Sequence, residues 1–158
     1  MAIAPNTTFV SGAILTAAQQ NAFGFSTVAM SQATANYALT TSIATTGLSV
    51  TFTAIASRNY KISWYEPQCQ ITNIVSGTTT MQLRVTNAAG TLLQNTFARN
   101  YAAVSGVSQM LCMYVGTFAA GSTTIVGCAS TTSLSDGPAL GRQATAPGIL
   151  VVEDIGPA

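Results

Sequence analysis

The sequence predicts an all-β fold: a single antiparallel β-sandwich, jelly-roll-like, with a short N-terminal arm and one short helix. Three observations lead to this prediction. Apolar and polar residues alternate with a period of two in several segments, such as 48–54, which is typical of half-buried strands. Turn-forming residues separate these segments at intervals of roughly 8–12 residues, as in sandwiches and barrels. The 158 residues also suit one domain with a single core.

Residues 1–24 are predicted to be an N-terminal anchoring arm, and residues 25–158 the sandwich domain. Thr16 and Gln19 have the spacing of a capping box, which predicts a short helix through Phe23 that Gly24 ends. So apolar an arm must lie against either its own sandwich or a neighbour, and we expect it to contact another protein or a neighbouring subunit. The expected assembly residues of the arm are Phe9, Val10, Ile14, Leu15 and Phe23.

Two β-hairpins are predicted in the first half of the sandwich. The first joins strand 48–54 to strand 60–65 through a turn at 56–59, and Glu66-Pro67 is expected to end its second strand. The second hairpin joins residues 81–85 to residues 91–97 through a turn at 87–90. The alternating faces of the first hairpin predict the following core residues: Leu48, Val50, Phe52, Ile62 and Trp64.

The next predicted strand, residues 110–118, is apolar on both faces. Leu111, Met113 and Val115 share one face. In a two-sheet sandwich only one face of a strand meets the core, so the other needs cover, and a subunit interface is the simplest cover. We expect the interface on the second face, whose residues are Met110, Cys112, Tyr114 and Phe118. A strand at 123–129, a loop at 133–148 and a last strand at 149–152 complete the predicted domain.

The composition predicts a subunit of a larger assembly. Only 6% of the residues are charged, 48% are hydrophobic, and the mean hydropathy is +0.41. Few charges are therefore available to interrupt apolar surface, and other chains are expected to cover much of it. The net charge of +1 includes no cluster of Lys and Arg, so no nucleic-acid partner is expected. The longest apolar run, 110–121, is too short for a membrane-spanning helix, so no membrane partner is expected either.

Catalytic and metal-binding patterns are scarce in the sequence. It contains no histidine, so no Ser-His-Asp or Cys-His arrangement can form within one chain. The adjacent Glu153 and Asp154 point to opposite faces of a strand and cannot flank one bond. Three cysteines without a C-x-x-C pair are expected to be buried free thiols: Cys69, Cys112 and Cys128. We therefore expect no enzyme activity, cofactor or metal.

Three segments carry a resemblance to a known group of proteins. Residues 11–22 (SGAILTAAQQNA) resemble the opening of small tail and head-fibre proteins of tailed phages. Residues 46–54 with 58–62 (RNYKI), and the ending 149–156 with its sequence VEDIG, are similar to the same group. Together they cover about a fifth of the 158 residues and lie near both ends and in the first half of the chain.

The resemblance implies a virion surface protein, commonly a homotrimer, whose arm docks onto the particle through a partner such as the major capsid protein. Because the sequence has no long fibre region, a capsid decoration or head-fibre protein is the expectation. Residues 1–12 show no secretion signal, so assembly in the host cytoplasm is expected. The alternative is a short tail-fibre or adsorption protein that binds a host receptor or glycan. An aromatic platform for sugars would then use Tyr60, Trp64, Tyr65 and Tyr101.

Overall fold

A computed structural model describes residues 26–71, 77–100, 106–134 and 137–158 of the protein. These residues form ten β-strands and no helix. The strands are β1 (Ser26–Ala33), β2 (Tyr37–Ala38), β3 (Ala44–Ala54), β4 (Arg58–Ile71), β5 (Gly77–Val85), β6 (Leu92–Asn100), β7 (Gly106–Thr117), β8 (Gly121–Thr131), β9 (Ala139–Gly141) and β10 (Gly148–Pro157). The predicted arm and its helix lie outside the described residues, and so does the predicted boundary at residue 24.

The strands form two antiparallel sheets packed as a sandwich, so the predicted all-β class is confirmed. In sheet A the order of the long strands is β1-β10-β4-β7. The short β9 pairs with the C-terminal part of β4, on the same side as β10, and the short β2 pairs with β9. In sheet B the order is β3-β8-β5-β6. If the eight long strands are counted along the chain, the sheets read 1-8-3-6 and 2-7-4-5, which is the double Greek-key order of a jelly roll.

The first predicted hairpin is wrong, because β3 and β4 lie in different sheets. β3 pairs with β8 in sheet B, whereas β4 pairs with β7 and β10 in sheet A. A sharp turn after β3, with Ser57 at a φ of 60°, carries the chain across the sandwich. The two strands therefore face each other through the core. The second predicted hairpin is confirmed, since β5 and β6 are hydrogen-bonded neighbours in sheet B.

Two segments are more regular than the sequence predicts. β4 continues through Pro67 to Ile71, because a β-bulge between Glu66 and Cys69 accommodates the proline without breaking the strand. The predicted loop at 133–148 contains β9, which pairs with β4 beyond this bulge. β9 brings the following Arg142 into the interior of the sandwich, where it is buried.

The core lies between the two sheets and contains all five residues predicted for it. Leu48, Val50, Phe52, Ile62 and Trp64 are buried in one cluster with Leu83, Ile125, Leu150 and Val152 from other strands. Apolar residues alternate along these strands, and every second side chain of a strand points inward from its sheet. The apolar side chains of the two sheets therefore meet in one cluster. Their opposite faces remain on the outside of the sandwich, where the candidate site lies.

Candidate functional site

β7 presents two apolar faces, and the structure buries the face that was predicted to be an interface. Met110 and Cys112 are 3% and 0% exposed and belong to the core of their own chain. Tyr114 and Phe118 are half-buried and pack against the same core, with Phe118 5.8 Å from the ring of Phe52. These four residues contribute to the packing of their own chain, and the exposed apolar face of β7 is the other one.

Leu111, Met113 and Val115 form that other face, and they are 53%, 47% and 51% exposed. The sequence alone could not decide between the two faces, because both are apolar. The decision comes from the aromatic cluster at the end of the strand. Phe118 packs against Phe52 and Tyr60, at ring distances of 5.8 and 6.0 Å, and thereby turns its side of β7 inward.

The exposed face of β7 continues across all four long strands of sheet A. The strand register places Met113 beside Ser63, Ser63 beside Val151, and Val151 beside Met30. A second row runs from Leu111 through Tyr65 and Ile149 to Gln32. We call this surface the outer A face, and its residues are Met30, Gln32, Lys61, Ser63, Tyr65, Leu111, Met113, Val115, Ile149, Val151 and Glu153.

The outer A face carries one positive and one negative charge, and they neutralise each other. Lys61 Nζ lies 2.8 Å from Glu153 Oε2, and both side chains are partly exposed. In the register this pair lies beside Val115, at one margin of the apolar rows. The face is therefore apolar at its centre and electrically neutral as a whole.

The outer surface of sheet B has a different chemistry. Hydroxyl side chains of β3, β8 and β5 dominate it, and the Thr51 and Thr124 hydroxyls hydrogen-bond to each other at 2.7 Å. Arg84 also lies there, donating from Nε to Gln82 Oε1 and from Nη1 to the Gly90 carbonyl. A surface of this kind is readily hydrated. The outer surface of sheet B is thus mainly polar, although β6 presents the 61% exposed Phe97 there.

A polar network occupies the interior at the far end of β4. Arg142 donates from Nε and Nη2 to the two carboxylate oxygens of Glu66, at 2.9 and 2.5 Å, and from Nη1 to the Thr46 carbonyl at 2.9 Å. Trp64 Nε1 donates to Glu66 Oε1 at 2.7 Å. All of these groups are buried, so the network satisfies its members internally and joins sheet A to β3. It has no access to a substrate.

The predicted aromatic platform for sugars does not form among the described residues. Trp64 and Tyr60 are buried in the core, whereas Tyr65 lies half-buried on the outer A face. Tyr101 lies outside the described residues.

A second buried ion pair joins two of the segments that carry the phage resemblance. Arg58 Nε of the segment RNYKI lies 2.5 Å from Asp154 Oδ2 of the segment VEDIG. Asp154 Oδ1 also accepts a hydrogen bond from the Gly156 amide, and Gly156 has a φ of 112°. The Lys61–Glu153 pair connects the same two segments on the outer side. The two motifs are therefore neighbours that depend on each other structurally.

The three cysteines are buried and free, as predicted. Burial raises the pKa of the Cys69, Cys112 and Cys128 thiols, although hydrogen bonding at the first two and the positive charge of Arg84 at Cys128 oppose the shift. A raised pKa keeps a thiol protonated and therefore a poor nucleophile.

Within the described ranges, no three or more His, Cys, Asp or Glu side chains gather closely enough to hold a metal ion. Those ranges also contain no helix with the length and hydropathy that crossing a lipid bilayer requires.

Comparisons with known proteins give little further information. No protein family and no curated protein sequence matches the chain. Among solved structures, the chain is similar to an arabinose-bound MgGH51 α-L-arabinofuranosidase, with 16% sequence identity and a TM-score of 0.31. The similarity covers 88% of this chain but 24% of that enzyme. At this TM-score the similarity carries no argument about function, which has to come from the residues of this chain.

Proposed function

We propose that this chain is a structural, non-enzymatic subunit of a tailed-phage virion, a capsid decoration or head-fibre protein on the particle surface. The single observation that carries the proposal is the outer A face, an apolar and neutral surface across four strands. On a soluble protein, the largest apolar patch often marks a site of contact with another molecule. The exposed apolar side chains are explained if other molecules of an assembly cover this face.

The energy available from covering the face is substantial. Four of the eight large apolar side chains that are exposed within the described residues lie on the outer A face: Met30, Leu111, Met113 and Val115. Since each is about half exposed, covering the remainder contributes roughly 1 kcal/mol per side chain, or about 4 kcal/mol for the four. That amount offsets part of the rotational and translational freedom that a subunit loses on assembly.

The sequence resemblance supplies the identity of the assembly. Its two segments RNYKI and VEDIG are held together by the Arg58–Asp154 and Lys61–Glu153 pairs, which gives their joint occurrence a physical reason. The homotrimeric state, the docking through arm residues 1–24 and the location on the virion surface are what this resemblance implies. The jelly-roll fold is compatible with the proposal, because viral capsid proteins commonly use it.

Two measurements test the proposal. Mass spectrometry of virions, purified from the phage that encodes the chain, should find it in a fixed stoichiometry to the major capsid protein. A chain lacking residues 2–23 should retain the β-rich circular dichroism spectrum and fail to bind particles stripped of the subunit. Absence of the chain from purified virions would contradict the proposal, and full decoration by the truncated chain would exclude the arm as the anchor.

A further inference from the structure

We propose that the outer A faces of identical copies of this chain meet around a symmetry axis. The inference deepens the proposed function, on which it rests, by naming what covers the face. It commits to a second copy of this chain as the partner, and three properties of the face support that choice.

The charge of the outer A face suits contact with itself. Around a symmetry axis identical surfaces meet, so any net charge on the face would be repelled by its own copies. Lys61 and Glu153 neutralise each other at 2.8 Å, and the remaining side chains of the face are uncharged. A partner with a strong charge of either sign, such as a nucleic acid or an acidic protein, finds no complementary patch there.

The edge of sheet A gives the second argument. Among the described strands, β7 is an outermost strand of the sheet, and its twelve residues, Gly106–Thr117, include no charged residue and no proline. Proteins normally protect such an edge with lysine, proline or a covering segment, because its free backbone groups invite pairing with other chains. β7 lacks the first two devices, and its exposed side chains belong to the outer A face. A neighbouring copy that covers the face also shields this edge.

The size of the face is the third argument. Four strands spaced by about 4.8 Å, and rows spaced by about 6.8 Å along each strand, give backbone dimensions of about 14 Å by 14 Å. Side chains extend this area to a few hundred Å². A standard interface takes about 800 Å² from each partner, of which rather more than half is apolar. The outer A face therefore provides the apolar centre of an interface of ordinary size, and its Lys61–Glu153 margin resembles a polar rim.

Two variants test whether association depends on the outer A face or on another part of the surface. The double substitution Leu111→Asp/Met113→Asp introduces two negative charges per copy at the centre of the proposed contact. The matched control is Phe97→Asp, which changes a 61% exposed apolar residue on β6 of sheet B. The full chain should sediment as an oligomer at micromolar concentration. We expect the double variant to sediment as a monomer, with association weakened at least about 100-fold, and the control to match the unmodified chain.

The Asp double variant could lose association because it misfolds. A milder double variant and the unmodified chain therefore provide two further measurements. Leu111→Thr/Met113→Thr keeps β-forming side chains and should still weaken association at least about 10-fold. In the unmodified chain, dilution from micromolar to nanomolar concentration should accelerate hydrogen exchange in β7 more than in β3, an edge strand of sheet B. A monomeric unmodified chain at micromolar concentration, a dissociation constant that neither double substitution raises, or equal exchange in β7 and β3 would overturn the inference.

The outcomes also separate this inference from the proposed function. A chain that is a monomer in solution but stoichiometric in virions refutes contact between copies and leaves the virion proposal standing. A chain that forms the expected oligomer but is absent from virions refutes the virion proposal alone.

Discussion

At the scale of single residues, Phe52 has the clearest structural role. Its ring lies 5.0 Å from that of Tyr60 and 5.8 Å from that of Phe118, so it joins β3 of sheet B to side chains that belong to sheet A and its edge. Its neighbour Thr51 faces outward and hydrogen-bonds to Thr124. Period-two alternation assigned both positions to the correct faces from the sequence.

Phe52→Ala should lower the free energy of unfolding by about 3–5 kcal/mol, because it removes an aromatic ring from a packed cluster. Thr51→Ala should cost about 1 kcal/mol at most, the contribution of one exposed hydrogen bond. Urea denaturation of the two variants measures both effects. Equal losses, or a larger loss for Thr51→Ala, would show that the register of β3 is shifted by one residue.

The buried pair of Glu66 and Arg142 could not be predicted from the sequence. The two residues are 76 positions apart, and Arg142 reaches the interior only because β9 forms in a segment that reads as a loop. The same fold brings Trp64 Nε1 to Glu66. Only the tertiary arrangement makes these three residues a unit.

Arg142→Met should destabilise the protein by about 3–5 kcal/mol, since it leaves the Glu66 carboxylate buried without its cation. Lys61→Met is the matched control. It breaks the exposed pair with Glu153 and should cost no more than about 1 kcal/mol. Urea denaturation at neutral pH compares the two variants. A similar small loss for both would mean that water or another group compensates the buried carboxylate.

At the scale of elements, β8 of sheet B and β4 of sheet A approach each other closely at Gly127. Gly127 of β8 lies against the flat ring of Trp64, and a Cβ at this position would sit 3.1 Å from two ring atoms. The ring cannot retreat without losing the hydrogen bond from its Nε1 to Glu66. A glycine is therefore required here by packing, and the two sheets depend on it for their spacing.

Gly127→Ala should cost about 1–3 kcal/mol, because the added methyl group overpacks the space between β8 and Trp64. Gly77→Ala on β5 is the control, since its Cβ would meet Ser133 at an ordinary 3.4 Å. Removing a flexible glycine from that strand should leave stability unchanged or raise it by up to about 1 kcal/mol. Thermal and urea denaturation distinguish the two. A stable Gly127→Ala protein would mean that the indole ring is free to shift.

Which strands pair with each other was the feature of the fold that the sequence predicted least well. β3 and β4 have every local feature of a hairpin, including matching alternation and a short turn, yet they lie in opposite sheets. Short turns join strands within a sheet or across a sandwich equally well, so alternation identifies the inward side chains without identifying the hydrogen-bonded neighbour. The two apolar faces of β7 posed a similar ambiguity, which the packing of Phe118 on Phe52 resolves.

At the scale of the whole molecule, the sequence was sufficient for the fold class, because alternation predicted the all-β sandwich. The low charge content predicts that other chains cover part of the outer surface, and this stays a prediction. The sequence did not predict where the apolar outer surface lies. The outer A face combines residues of β1, β4, β7 and β10, and their proximity follows from jelly-roll topology, which local patterns do not encode.

The position of β10 within sheet A links folding to assembly. β10 lies between β1 and β4, although it is the last of the described strands along the chain. The outer A face is therefore incomplete until β10 has inserted between two strands that are far earlier in the sequence, a non-local and hence slow step. A nascent or incompletely folded chain does not present the finished surface, so under the proposed assembly only chains that have completed folding are incorporated.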